Sequence, residues 1–297
     1  MTPRSFVTLF WKSIKSWLAD HAPRHGAAIA YYTLFAMAPV LLVVIGVAGL
    51  FFGAEAVRGE IVTQIAGLIG RDGAEAVQSI LQKASEPREG IGATVLGTLG
   101  LLFATSGAFL ELQAAFNKIW RVKTDDAPGV DLEAVITRRL RSLGVVVSIG
   151  FLLMVSLAIS AAVTALTNWF GGRMSGWPLV IAALNQIISL VVSTALFGVL
   201  FRVLPDVELK WRDVAIGAFL TAVLFAIGQR LIGVYLGSSS VASPFGAAGT
   251  VAIILVWVYY STQIVLLGAE FTYHYSTSRR APPEPMPGAV RTPAPAA

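Results

Sequence analysis

Six stretches of this chain are each long and apolar enough to cross a bilayer as a helix. They run from Ala27 to Gly53, Ile91 to Phe116, Leu143 to Thr167, Leu179 to Leu204, Val214 to Leu236 and Ala247 to Phe271. A membrane helix needs roughly 20 mostly apolar residues, because hydrocarbon offers no partner to an exposed backbone N–H or C=O. A β-barrel would show segments of about 10 residues alternating apolar and polar. These runs are longer and apolar on every side, so helices are expected. Of the 297 residues, 56% are hydrophobic and 13% charged, with a mean hydropathy of +0.72. A soluble domain carries about 25% charged residues. Composition thus argues against a disordered chain and an ordinary cytosolic enzyme, and the lack of Cys excludes a disulfide scaffold. The expected fold class is all-α: a polytopic membrane protein of six transmembrane helices.

The distribution of Lys and Arg orients the spans. Sixteen lie in the N-terminal segment, the loop after span two with the start of span three, the loop between spans four and five, and the tail. The opposite side carries five: Arg58, Arg71, Lys83, Arg88 and Arg173. Both termini are therefore expected in the cytoplasm. The net charge of +5 is a topology signal, because the cations sit at span ends rather than on one face. It does not point to nucleic acid as a partner. The first apolar run is too long for a cleaved signal peptide.

Three domains are expected. Residues 1–26 form a cytoplasmic amphipathic segment, in which Phe6, Leu9, Phe10, Trp17 and Leu18 recur near helical spacing around Lys12 and Lys15. Such a helix lies in the membrane interface. Residues 27–275 form the six-helix domain. Its outer loop, 54–90, reads as two short amphipathic helices broken at Gly70-Arg71-Asp72-Gly73, serving as a cap or a lid. Residues 276–297 read as a disordered tail, with six of the chain's 14 prolines between 281 and 297.

Ionisable groups inside the bilayer are functional candidates, since each costs roughly 2.5–3.5 kcal/mol at mid-membrane on insertion scales. There are three: Glu111, Arg230 and Glu270. In span two, Gly97, Gly100, Ala104, Gly107, Ala108 and Ala115 share a face with Glu111. Small faces are where helices approach closely, so Glu111 is expected to point into the bundle. It bonds a neighbouring helix there or meets a substrate. In span six, Tyr259, Gln263 and Glu270 fall within about 40° at about 100° per residue. They form a polar stripe, unless Glu270 simply snorkels to the cytoplasmic interface. Arg230 lies near the outer end of span five, where a lipid phosphate, a backbone carbonyl or Gln186 are the available partners. Pro39, in the middle of span one, removes a helical hydrogen bond and is the candidate helix break. Broken helices commonly line transporter sites.

Other chemistry has no signature. His21, His25 and His274 are the only histidines, and no metal-ligand spacing surrounds them. There is no Gly-x-Ser-x-Gly, phosphate-binding loop or dinucleotide fingerprint. No catalytic, metal or cofactor-binding residue is expected, and no cofactor.

Several motifs resemble those of one family. Ala30-Tyr31-Tyr32-Thr33-Leu34-Phe35 with Ala38-Pro39 is similar to the start of the first span in the YihY/BrkB family of bacterial inner-membrane proteins. Ala114-Ala115-Phe116-Asn117-Lys118-Ile119-Trp120, Phe201-Arg202-Val203-Leu204-Pro205, Trp211-Arg212-Asp213 and Pro244-Phe245-Gly246 also fit. So does Trp257-Val258-Tyr259-Tyr260, with Gly268-Ala269-Glu270 following. The resemblance covers about residues 10–275 in order. It implies a six-span inner-membrane protein whose relatives have been called virulence or serum-resistance factors. Some are suspected of moving lipids or other solutes. The family has also carried a ribonuclease BN label, which the absence of a His/Asp metal cluster disfavours here.

The leading expectation is a non-enzymatic transporter or lipid/solute translocator, with membrane lipids as partners and a cytoplasm-facing polar cavity lined by Glu111, Glu270, Gln263 and Tyr259. The alternatives are a non-transporting scaffold for envelope assembly, working through the outer loop, and a membrane-bound ribonuclease. Gly49-x-x-x-Gly53 permits close helix contact without specifying an oligomeric state.

Overall fold

The structure is a computed structural model and describes residues 3–85, 107–124, 177–238, 247–278, 282–286 and 289–292. In chain order its elements are α1 (Pro3–Ala19), α2 (Ala22–Phe52), α3 (Ala54–Ser85), α4 (107–119), β1 (Val122–Thr124), α5 (Trp177–Val203), α6 (Trp211–Ser238), α7 (Ala247–Thr277) and β2 (Ala289–Arg291). The fold is mostly helical. Among the described residues, three helices hold a segment long and apolar enough to cross a membrane: Gln186–Val203, Trp211–Ile232 and Val251–Thr277. A fourth forms if the two arms of α2 count as one span; Ala22–Ala38 and Val40–Gly46 meet at 45°. The break falls at Pro39, which has no N–H to donate to the helical ladder. The expected third span and residues 91–106 of the second lie outside the described residues.

These helices wear their apolar residues outward. Ile187 and Val191 on α5, Phe219, Ile227 and Leu231 on α6, and Leu50 on α2 are all exposed. Apolar exposure on this scale marks a surface covered by something other than water. For helices of this length and composition, lipid supplies the cover.

Two expectations are corrected. Residues 54–85 form one helix, α3, of 32 residues, rather than two helices broken at 70–73. Each glycine costs a helix about 1 kcal/mol relative to Ala, which lowers stability without ending the helix. The segment contains no proline, and Ala, Glu, Gln, Ile and Leu carry it past both glycines. The actual break is upstream, at Gly53, whose φ of 85° is a left-handed backbone that separates α2 from α3.

The second correction concerns the tail. Residues 289–291 pair antiparallel with β1, in the register Val122↔Arg291, Lys123↔Val290 and Thr124↔Ala289. Thr292 N donates to the Arg121 carbonyl, and Val207 bridges Pro285. Met286 N donates to Asp206 O, and Glu208 N to Glu284 O. Proline-rich sequence cannot form a packed core by itself, but it suits an edge strand whose remaining N–H groups find partners on another segment.

The chain divides into two compact units. One holds Met1–Ile14, Phe116–Leu224 and Leu267–Ala297. Its core is aromatic. Phe116 lies 5.7 Å from Phe201, and Trp120 meets Tyr273 edge-on at 5.5 Å. Asn117 and Asp206, both buried, exchange two hydrogen bonds: Asn117 Nδ2 donates to Asp206 Oδ2, and Asp206 N donates to Asn117 Oδ1, each at 2.8 Å. Within this unit α6 and α7 interlock through two glycines. Thr221 sits where a Cβ on Gly268 would lie, and Thr272 does the same at Gly217. Each Thr hydroxyl donates to the glycine carbonyl of its own helix, Thr221 to Gly217 and Thr272 to Gly268, at 2.7 Å.

The other unit holds Lys15–Ala115 and Phe225–Leu266. Ile232 and Ile253 are buried together against Trp257 and Tyr260. Phe225 meets the Trp257 ring edge-on at 6.4 Å.

Candidate functional site

The polar residues of the second unit gather around the start of α2. His21 initiates that helix in the left-handed region, with φ of 57°. Pro23 is tolerated in the first turn, where its missing N–H would have had no helical partner. One turn further in, His25 Nδ1 lies 2.8 Å from Glu111 Oε1 on α4. The two groups are within hydrogen-bonding distance, and the His25 tautomer sets which of them donates. Both side chains are largely covered, with 22% and 28% of their surface exposed. Glu111 therefore points at a neighbouring helix. The small face that carries it closes on α2 a turn away, where a methyl group on Gly107 would lie 2.9 Å from Tyr32 Cδ1. Residues 97 to 106 of that face lie outside the described residues.

Gly26, next to His25, lets α7 approach on another side. The Gln263 amide occupies the space a Cβ would need, and Tyr259 Cδ2 lies 3.5 Å from the same point. Both amide atoms of Gln263 are buried and meet no hydrogen-bond partner among the described residues. Leaving such a group unpaired costs about 1–3 kcal/mol. The structure thus brings Tyr259 and Gln263 to one residue of α2 and Glu111 to the residue before it.

Glu270 belongs to the other compact unit. It is fully buried, so it does not snorkel to water. Its Oε2 lies 3.8 Å from Nε2 of His274, one turn further along α7. His274 is also buried. Arg230 is exposed, on the face of α6 that also exposes Ile227 and Leu231. His25 is the residue that sequence reasoning passed over. The available signal was its position at the apolar boundary of α2, seven residues before Tyr32 and so on the same face. No group of three or more His, Cys, Asp and Glu that could hold a metal ion occurs among the described residues.

Apolar helices of membrane length, outward-facing apolar side chains and a few buried polar groups define a helical membrane protein. The chain matches the Virulence factor BrkB family over residues 13–292 and belongs to that family. Similar proteins include a UPF0761 membrane protein of Azotobacter vinelandii, 30% identical with 94% of this chain and 66% of the relative covered. A UPF0761 membrane protein of Stenotrophomonas maltophilia is 28% identical, with coverage of 94% and 63%. One of Acinetobacter baylyi is 25% identical, with coverage of 86% and 59%. The chain thus spans a little under two thirds of the length of these relatives. Their names describe membrane proteins and no enzyme. No solved structure matches the chain.

Proposed function

We propose that this protein is a six-span transporter or lipid/solute translocator of the bacterial inner membrane, with both termini in the cytoplasm and α1 in the interface. The polar cluster of α2, α4 and α7 is its substrate site. The observation that carries this reading is the buried Gln263 amide beside the His25–Glu111 pair. An amide held at Gly26 with neither its donor nor its acceptor satisfied among the described residues is matched by a polar group that offers both. The neighbouring imidazole and carboxylate add a further donor and acceptor for a polar group or a cation. The bend at Pro39 supplies the moving part: tilting Ala22–Ala38 against Val40–Gly46 shifts His25 and Gly26 together.

The test is transport in proteoliposomes. Lipid scrambling and solute uptake are measured for Gln263→Leu, Glu111→Ala and Glu270→Ala. Loss of movement in the first two supports the cluster as the site. A loss confined to Glu270→Ala relocates the site to the other unit. Wild-type rates in all three remove the proposal.

A further inference from the structure

The first compact unit carries a groove that the polar cluster does not use. Arg202 sits in the last turn of α5, and Trp211 opens α6. Only residues 204–210 join two helices that are each long and apolar enough to span a membrane. So short a connection holds its side chains at the membrane surface. The groove has a volume of about 530 Å³ and is lined by Arg202, Glu208, Leu209, Lys210, Trp211 and Met286. Its walls are fixed from both sides. Leu209 is buried, and Met286 is held in place by its own N–H on Asp206 O. The Arg202 guanidinium stacks over the Trp211 ring, 4.6 Å from its centroid. Stacking fixes the plane of the guanidinium and leaves its N–H edges directed sideways, the geometry that receives a phosphate oxygen pair. Lys210 is exposed on the rim, and Trp211 is half exposed, as an interfacial tryptophan is.

We propose that this groove binds a phosphate-bearing group at the membrane surface, Arg202 and Lys210 supplying the cations and Leu209, Trp211 and Met286 the apolar wall. Glu208 on the rim is the one acidic lining residue and opposes the anion. The combination of two cations, an interfacial aromatic and an apolar floor fits an anionic phospholipid, whose headgroup and upper chains need both. A soluble phosphate compound would use the same cations. The site shares no residue with the polar cluster, so either proposal can fail alone.

The test uses the full chain in nanodiscs of phosphatidylcholine containing a minor fraction of phosphatidylglycerol, with bound lipid counted by native mass spectrometry. Wild type is expected to retain phosphatidylglycerol over phosphatidylcholine. Each of Arg202→Gln and Lys210→Gln should lower that retention about fivefold, the increment a basic residue contributes at an anionic surface. Glu208→Gln should raise it, and because residues 208 and 210 are both exposed, this variant and Lys210→Gln keep the fold even if Arg202→Gln does not. Inorganic phosphate is added in a second arm. Retention indifferent to phosphate assigns the groove to lipid, and displacement by millimolar phosphate assigns it to soluble phosphate compounds. Retention equal in wild type, Lys210→Gln and Glu208→Gln overturns the proposal.

Discussion

Glu111 and His25, 86 residues apart in sequence, meet at 2.8 Å between α4 and α2. Partial cover makes this pair more than a surface ion pair, and its membrane setting limits what it contributes. Polar pairs between membrane helices average about 0.6 kcal/mol in double-mutant cycles. A cycle of His25→Ala and Glu111→Ala, read by thermal unfolding in detergent, is expected to give a coupling of about 0.5–1.5 kcal/mol. Additive single losses would mean that the two residues do not interact.

The Gly268–Thr221 contact sets a steric expectation. An Ala Cβ at position 268 would lie 2.9 Å from Thr221 Cβ and 3.0 Å from its Cγ2, and in still closer contact with Oγ1. Overpacking of this kind costs about 1–3 kcal/mol. Gly268→Ala should lower the unfolding temperature, and Thr221→Ala in the same chain should restore part of it. At Gly217 the obstruction includes the Thr272 backbone, with Cα 3.2 Å from the added Cβ. Gly217→Ala should therefore recover less when Thr272 is trimmed to Ala.

Asn117 anchors the turn after α5 through two hydrogen bonds to one residue. Asn117→Ala removes both in a buried setting, and a loss of about 1–3 kcal/mol is expected. Lys123→Ala, an exposed position nearby in the chain, should change stability by less than about 0.5 kcal/mol and serves as the control. Chemical unfolding in detergent separates the two.

The bend in α2 can be measured directly. The chain has no Cys, so spin labels attach only where a Cys is introduced. Arg24 and Gly46 are exposed on either side of Pro39. Removing a 45° bend between them lengthens their separation by about 2 Å at 1.5 Å rise per residue. Pro39→Ala should produce that increase in double electron–electron resonance. An unchanged distance would show that packing, not the proline, sets the bend.

The parts of this fold that were legible in the sequence are those the bilayer dictates. Hydrocarbon demands long apolar runs, and α2, α5, α6 and α7 follow from that demand alone. The bend at Pro39 was legible for a similar reason, since a missing N–H acts locally. Where tertiary partners decide, local signals misled. Gly70 and Gly73 read as a break but lie inside α3, and the prolines of residues 282–287 read as disorder although Val290 pairs with Lys123. The candidate site divides in the same way. The placement of Glu111 against a neighbouring helix followed from the small residues on its own face. Its partner did not, because nothing near His25 in sequence refers to a residue on α4. Glu270 read as one member of a stripe with Tyr259 and Gln263, and periodicity along α7 says nothing of which compact unit each part of the helix joins.

The short ribbon between β1 and β2 joins Val122 to Arg291, 169 positions apart in the chain. During synthesis the first strand is made long before the second, and α5, α6 and α7 must all be threaded into place in between. Closing so large a loop is entropically costly until those helices are in place. The ribbon is therefore a latch fastened last, and a chain stalled before residue 289 would leave the β1 edge without its partner strand.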